Sequence, residues 1–147
     1  MTRTVGILIF DGVEILDFCG PYEGFSVAGG TAENDDLTVY TVAESRVAAR
    51  AANGLVVHPD YAFDDCPDTH LLVLPGGRGT RDVIQNEAAM SWIRQACESA
   101  ELVLSVCTGA LLLGKLGLLD GLDATTHHGA FAELRRVAPN ANIREGE

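Results

Sequence analysis

The stretch 102–116 constrains the fold more than any other part of the chain. Leu102, Val103, Leu104 and Val106 form a short apolar run broken only by Ser105, the pattern of a strand buried in a parallel sheet. The run stops at Cys107, Gly109 follows two residues later, and Ala110, Leu111, Leu112 and Leu113 read as a buried helix. Strand, sharp turn and helix with a nucleophile at the turn is the logic of a nucleophile elbow. Ser105 and Gly109 are the small residues that let the backbone pass closely. A thiol at such a turn stands at a helix N-terminus, where free N–H groups and the helix dipole favour the reactive thiolate. The competing reading of Cys107 is a small buried hydrophobe. Its place between a strand-like run and a Gly-opened helix favours the nucleophile.

The rest of the chain alternates in the same way. Thr4–Phe10 reads as a buried strand, Leu37–Val42 as a second and His70–Leu74 as a third, the last ending at Pro75-Gly76-Gly77. A short helix is expected from Tyr22 to Gly29-Gly30 with Pro21 in its first turn, then a polar loop over Thr31–Asp36. Asn53-Gly54 predicts a small antiparallel hairpin off the main sheet. Tyr61–Pro67 reads as a loop, Thr80–Asn86 as a short helix, and Glu87–Ala100 as an amphipathic helix with Met90, Ile93, Ala96 and Cys97 at core spacing. A short strand at Ala124–Thr126, a helix at Phe131–Val137 and a strand-like stretch from Ile143 complete the pattern. Alternating strands and helices predict an α/β fold, doubly wound on a mostly parallel sheet of flavodoxin-like type, in a single domain over 1–147. In such sheets ligands bind beyond the carboxyl ends of the strands, where strand order reverses. That rule gathers Asp17, Gly76-Gly77 and Cys107-Thr108 on one edge.

Composition excludes several functions. Ten basic against twenty-one acidic residues give a net charge of −11, which repels nucleic acid and anionic membranes. No run is long enough to span a bilayer, and no signal peptide precedes the first strand, so a cytoplasmic protein is expected. Cys19, Cys66, Cys97 and Cys107 lack paired spacing, so free thiols are expected, and metal-ligand spacing is absent.

Four segments resemble the ThiJ/PfpI superfamily, relatives of the class I glutamine amidotransferases. They are 10–21, Leu74–Thr80, Ser105–Ala110 and Ala124-Thr125-Thr126-His127, in family order over nearly the whole chain. The branch resembled holds isocyanide hydratase and the sensor domains of some AraC-type regulators. The resemblance implies a further strand, a Gly-rich turn and a closing helix beyond Glu147, and dimerisation.

It also implies roles. Cys107 is the nucleophile, and Asp17 hydrogen-bonds it and holds a proton to hand over. The other reading of Asp17 is a cap for the helix near Pro21. The second glycine, Gly77, and Thr108 donate N–H groups to the developing anion. Thr108 stands where the protease-like branch has a histidine, which disfavours a Cys-His protease. Gly76 shapes the turn. Arg78 pairs with a substrate charge or is a solvated loop arginine. Cys19 lines the pocket or packs, and His127 is a base or a structural histidine. The expected function is hydration of a small isocyanide by a cysteine nucleophile without cofactor or metal. The alternatives are a ligand sensor and a glyoxalase- or deglycase-like activity on reactive carbonyls.

Overall fold

The computed structural model describes residues 2–31 and 36–146, so most of the loop expected at Thr31–Asp36 lies outside the described residues. The elements run β1 (Arg3–Leu8), α1 (Ile15–Thr31), β2 (Leu37–Ala43), β3 (Ala49–Arg50), β4 (Val56–Val57), β5 (Tyr61–Ala62) and β6 (Leu71–Leu74). They continue as α2 (Thr80–Gln85), α3 (Glu87–Ser99), β7 (Leu102–Ser105), α4 (Ala110–Lys115), β8 (Asp123–Ala124), α5 (Phe131–Val137) and β9 (Asn142–Ile143).

The main sheet is ordered β5-β2-β1-β6-β7, and every pairing in it is parallel. The order reverses between β1 and β6, because the chain first builds outward through β2 and then returns to the other side of β1. This is the doubly wound flavodoxin-like arrangement. Alternation along the strands divides two cores. Val5 and Ile7 of β1 and Val73 of β6 pack with Val13 and Phe18 on the α1 side. Leu8, Leu72 and Leu74 pack with Met90, Ile93, Leu111, Leu112 and Leu134 on the other. Successive strand residues point to opposite faces, so both faces of the sheet are covered by helices. Among the described residues no helix is long and apolar enough to cross a membrane.

The expected hairpin is present: β3 pairs antiparallel with β4, and Asn53 and Gly54 between them have φ of 61° and 93°. Other expectations are corrected. Helix α1 starts at Ile15, not near Pro21, so Pro21 is its seventh residue and lies inside it. The contacts of Ile15, Phe18 and Phe25 with the core outweigh the local preference of Gly20-Pro21 to break the helix. Tyr61–Ala62, expected in a loop, forms the edge strand β5 beside β2. The β8 strand pairs in parallel with β9, a two-stranded unit apart from the main sheet.

Candidate active site

Three strand ends build the site. Beyond β7, Cys107 adopts φ 54°, in the left-handed region that non-glycine residues rarely occupy. Such conformations are found chiefly where surrounding structure enforces them, often at functional sites. Here the enforcement is visible on both sides of the residue. Val106 N–H donates to the Leu74 carbonyl at 3.0 Å and Gly109 N–H to the Val106 carbonyl at 2.9 Å. The Thr126 hydroxyl donates to the Cys107 carbonyl at 2.9 Å. A Cβ on Gly109 would overlap the Leu74 carbonyl oxygen, so this small residue is what lets the elbow lie against β6.

Beyond β6, Gly76 brings its backbone against the elbow. Its N–H donates to Asp17 Oδ2 at 3.0 Å. A Cβ there would stand 2.6 Å from Thr108 N and 2.9 Å from Asp17 Oδ2. Beyond β1, the chain turns through Val13, which bridges Gly77, and Glu14 N–H donates to the Gly76 carbonyl at 2.9 Å. Asp17 then falls in the first turn of α1 rather than capping a helix at Pro21. Its carboxyl lies close enough to the Cys107 side chain for each to shift the other's titration. Asp17, Gly76 and Cys107 therefore meet at one sheet edge, at the switch point between β1 and β6.

Electrostatics couple the acid and the thiol. Burial pushes the Asp17 carboxyl above its ordinary range, against the pull of the Gly76 N–H, and the nearby Glu14 charge adds to the rise. Burial also pushes the Cys107 thiol up, opposed by the Thr108 N–H and reinforced by a negative Asp17. The lowered thiol pKa expected at a helix N-terminus is thus corrected: α4 is six residues long, and the half-buried thiol faces a carboxyl. Each negative charge opposes the other, so the pair favours holding one shared proton and titrates as a unit. Cys97, half-buried against the apolar core, is pushed up to about 11 by desolvation.

Gly77 takes a different part from the one expected. Its N–H donates to Thr108 Oγ1 at 2.9 Å, so it holds the threonine hydroxyl instead of pointing at a substrate. The reason lies in the neighbouring turn. Thr80, 0% exposed, donates to the Gly77 carbonyl at 2.8 Å, and Arg81 Nη1 reaches the same oxygen at 3.2 Å. The buried Thr108 hydroxyl donates to the same carbonyl at a longer 3.3 Å. Thr80 and Arg81 escaped notice in the sequence; a buried threonine at the start of a Gly-flanked helix was the available signal.

The remaining candidates sit apart. Cys19 packs against the α1-side core and lines a 440 Å³ cavity with Phe18, Tyr22, Val57 and His58. Two residues along an α-helix is a turn of about 200°, so Cys19 cannot share the Asp17 face. Arg78 lines a separate cavity with Gly12, Glu14, Ala52 and Asn53. His127 is exposed and its Nδ1 accepts from Gly129 N–H at 3.1 Å, which leaves Nε2 to carry the proton. The ring lies within electrostatic reach of Asp17. All four cysteines are free. Among the described residues no group of three or more His, Cys, Asp or Glu is arranged to hold a metal ion.

Comparison with known proteins gives a consistent picture. A family model described as the DJ-1/PfpI family matches residues 3–146. Isonitrile hydratase of Pseudomonas putida is 37% identical over 155 residues, covering 99% of this chain and 65% of the hydratase. The HTH-type transcriptional regulator GbdR of Pseudomonas aeruginosa is 25% identical over 137 residues, covering 93% of this chain and 37% of the regulator. The crystal structure of a ThiJ/PfpI family protein from Pseudomonas syringae superposes with a TM-score of 0.84 at 27% identity, over 100% of this chain and 58% of that one. The chain spans less than two thirds of the length of each of these relatives.

Proposed function

The chain belongs to the DJ-1/PfpI family, and from that premise we propose that it is an isonitrile hydratase-like enzyme. The observation that carries this reading is the Asp17–Cys107 pair, acid against thiol at the elbow, together with similarity to isonitrile hydratase along 99% of the chain.

An isonitrile, R–N≡C, is electrophilic at its terminal carbon. Cys107 Sγ bonds to that carbon, and Asp17 delivers the pair's proton to it, giving a thioimidate. Asp17, now a carboxylate, takes a proton from water as the water oxygen bonds to the same carbon. The negative charge passing through this adduct is met by the Thr108 hydroxyl and N–H. The adduct's hydroxyl proton passes to its nitrogen as the carbonyl forms and the C–S bond breaks, the sulfur and Asp17 keep between them the proton taken from water, and R–NH–CHO leaves. The net change is addition of one water, and every step uses only a thiol, a carboxyl and water.

The partner in this reading is a small molecule, with a second copy of the chain as the assembly partner. Tyr22 of α1 and Val57 of β4 line one cavity, and Leu16, Leu55 and Val56 are 77%, 44% and 48% exposed. Similarity to the regulator supports a second reading, a ligand-sensing domain. Incubation with a simple alkyl isonitrile, with formamide read by mass spectrometry for wild type, Cys107→Ala and Asp17→Asn, separates them. Turnover lost in both variants supports the enzyme; saturable binding without formamide supports the sensor.

A further inference from the structure

We propose that Thr126 is a positioning residue that aims the Thr108 N–H at the reacting sulfur by holding the Cys107 carbonyl. The proposal takes its substrate from the hydratase reading but rests on geometry that stands without it.

The Cys107 carbonyl and the Thr108 N–H belong to one peptide unit. That unit is planar, so the two groups point in opposite directions, and whatever fixes the carbonyl fixes the N–H. On the carbonyl side there are two donors, the Ala110 N–H from within the same turn and the Thr126 hydroxyl at 2.9 Å from outside it. On the other side the Thr108 N–H favours the Cys107 thiolate, pulling its pKa down against burial. It also lies where Gly76 leaves room, since a Cβ on Gly76 would stand 2.6 Å from that nitrogen. This N–H is therefore the backbone donor available both to a thiolate and to an adduct on it.

The unit has a reason to move. Cys107 at φ 54° is strained, and rotation of its peptide toward an ordinary conformation relieves the strain while turning the N–H away. Thr126 opposes that rotation from a fixed platform. Two residues before it, the Ala124 carbonyl accepts from Arg144 N–H at 2.8 Å. The Thr125 hydroxyl donates to the Arg144 carbonyl at 2.7 Å, and Arg144 pairs with Asp123 at 2.8 Å. The β8–β9 unit, outside the main sheet, thus serves as the mount for the residue that braces the elbow.

The test compares Thr126→Val, which removes the donor at nearly constant shape, with Thr126→Ser, which keeps it. Alkylation of each cysteine by iodoacetamide is followed across pH by mass spectrometry, with Cys66 and Cys97 as internal references. Valine is expected to slow Cys107 about 10-fold or more and move its pH profile upward, with the references unchanged, as loss of a charge-stabilising donor predicts. Serine should restore both rate and profile. With an isonitrile, valine should lower kcat about 100-fold at little change in KM. A wild-type Cys107 rate and profile in the valine variant overturns the proposal. So does failure of both Thr126→Val and Thr126→Ala to fold while Thr126→Ser folds, because the hydroxyl then serves the fold and not the thiol. If wild type turns over no isonitrile, the hydratase reading fails, and the alkylation results still decide the role of Thr126.

Discussion

The Gly76 amide donates to Asp17 Oδ2 at 3.0 Å, and the missing Gly76 side chain is what lets the carboxyl stand beside Cys107. Gly76→Ala places a Cβ 2.6 Å from Thr108 N and 2.9 Å from Asp17 Oδ2, so one of these groups must shift. A misplacement approaching 1 Å in reacting groups costs about 100-fold in rate. Isonitrile turnover and Cys107 alkylation should both fall steeply in this variant, with a smaller loss of thermal stability, read by parallel assays and melting curves.

The raised Asp17 carboxyl makes stability depend on pH. In the window that opens at the ordinary value of 3.8 and closes at the raised one, the folded chain holds a proton the unfolded chain has released. Stability therefore falls as pH rises through that window. The Cys107 thiol repeats this above its ordinary 9.0. Urea denaturation across pH should show Asp17→Asn losing less stability than wild type over the acidic window. Identical slopes in the two proteins would contradict the coupled pair.

The elbow was legible because several independent signals coincide there: an apolar strand run, a thiol at its end, Gly109 after it, and a second glycine turn at 76–77. The start of α1 was not, since Gly20-Pro21 is a local break that only the packing of Ile15 and Phe18 overrides. That displacement also explains Cys19, whose position relative to Asp17 depends on both residues lying in one helix. Burial, which a helix-dipole reading of the elbow leaves out, is the main cause of the raised Cys107 thiol. Strand β5, two residues long, carries too little pattern to be read. The bond from Thr126 to Cys107 joins residues nineteen apart in sequence and has no local signature.

Arg81 binds Glu133 with a two-pronged pair at 2.9 and 2.7 Å, tying α2 to α5. Hydrogen bonding to Arg81 holds the Glu133 carboxyl below its ordinary range, so its contribution is present at neutral pH and is lost as pH falls through the lowered value. The side chains are 42% and 30% exposed, so Glu133→Gln should cost no more than about 1 kcal/mol. A wild-type-minus-variant difference that vanishes at low pH, measured by denaturant titration, is expected.

The exposed apolar residues Leu16, Leu55 and Val56 predict self-association. Leu16→Glu with Val56→Glu, both changes at exposed apolar positions, should convert a dimer to a monomer in sedimentation velocity while leaving the melting transition cooperative. A wild-type monomer would contradict this part of the reading.

Cys107 and Asp17 are expected to hydrate an isonitrile together. The direct measurement supplies an alkyl isonitrile in oxygen-18 water and follows the formamide and the protein by mass spectrometry. Wild type should yield N-alkylformamide carrying one oxygen-18. In Asp17→Asn formamide should be lost, and in Cys107→Ser formamide and any mass adduct on residue 107 should both be absent. Formamide produced at equal rates by wild type and Cys107→Ser, or no formamide from wild type across a series of isonitriles, would contradict the account.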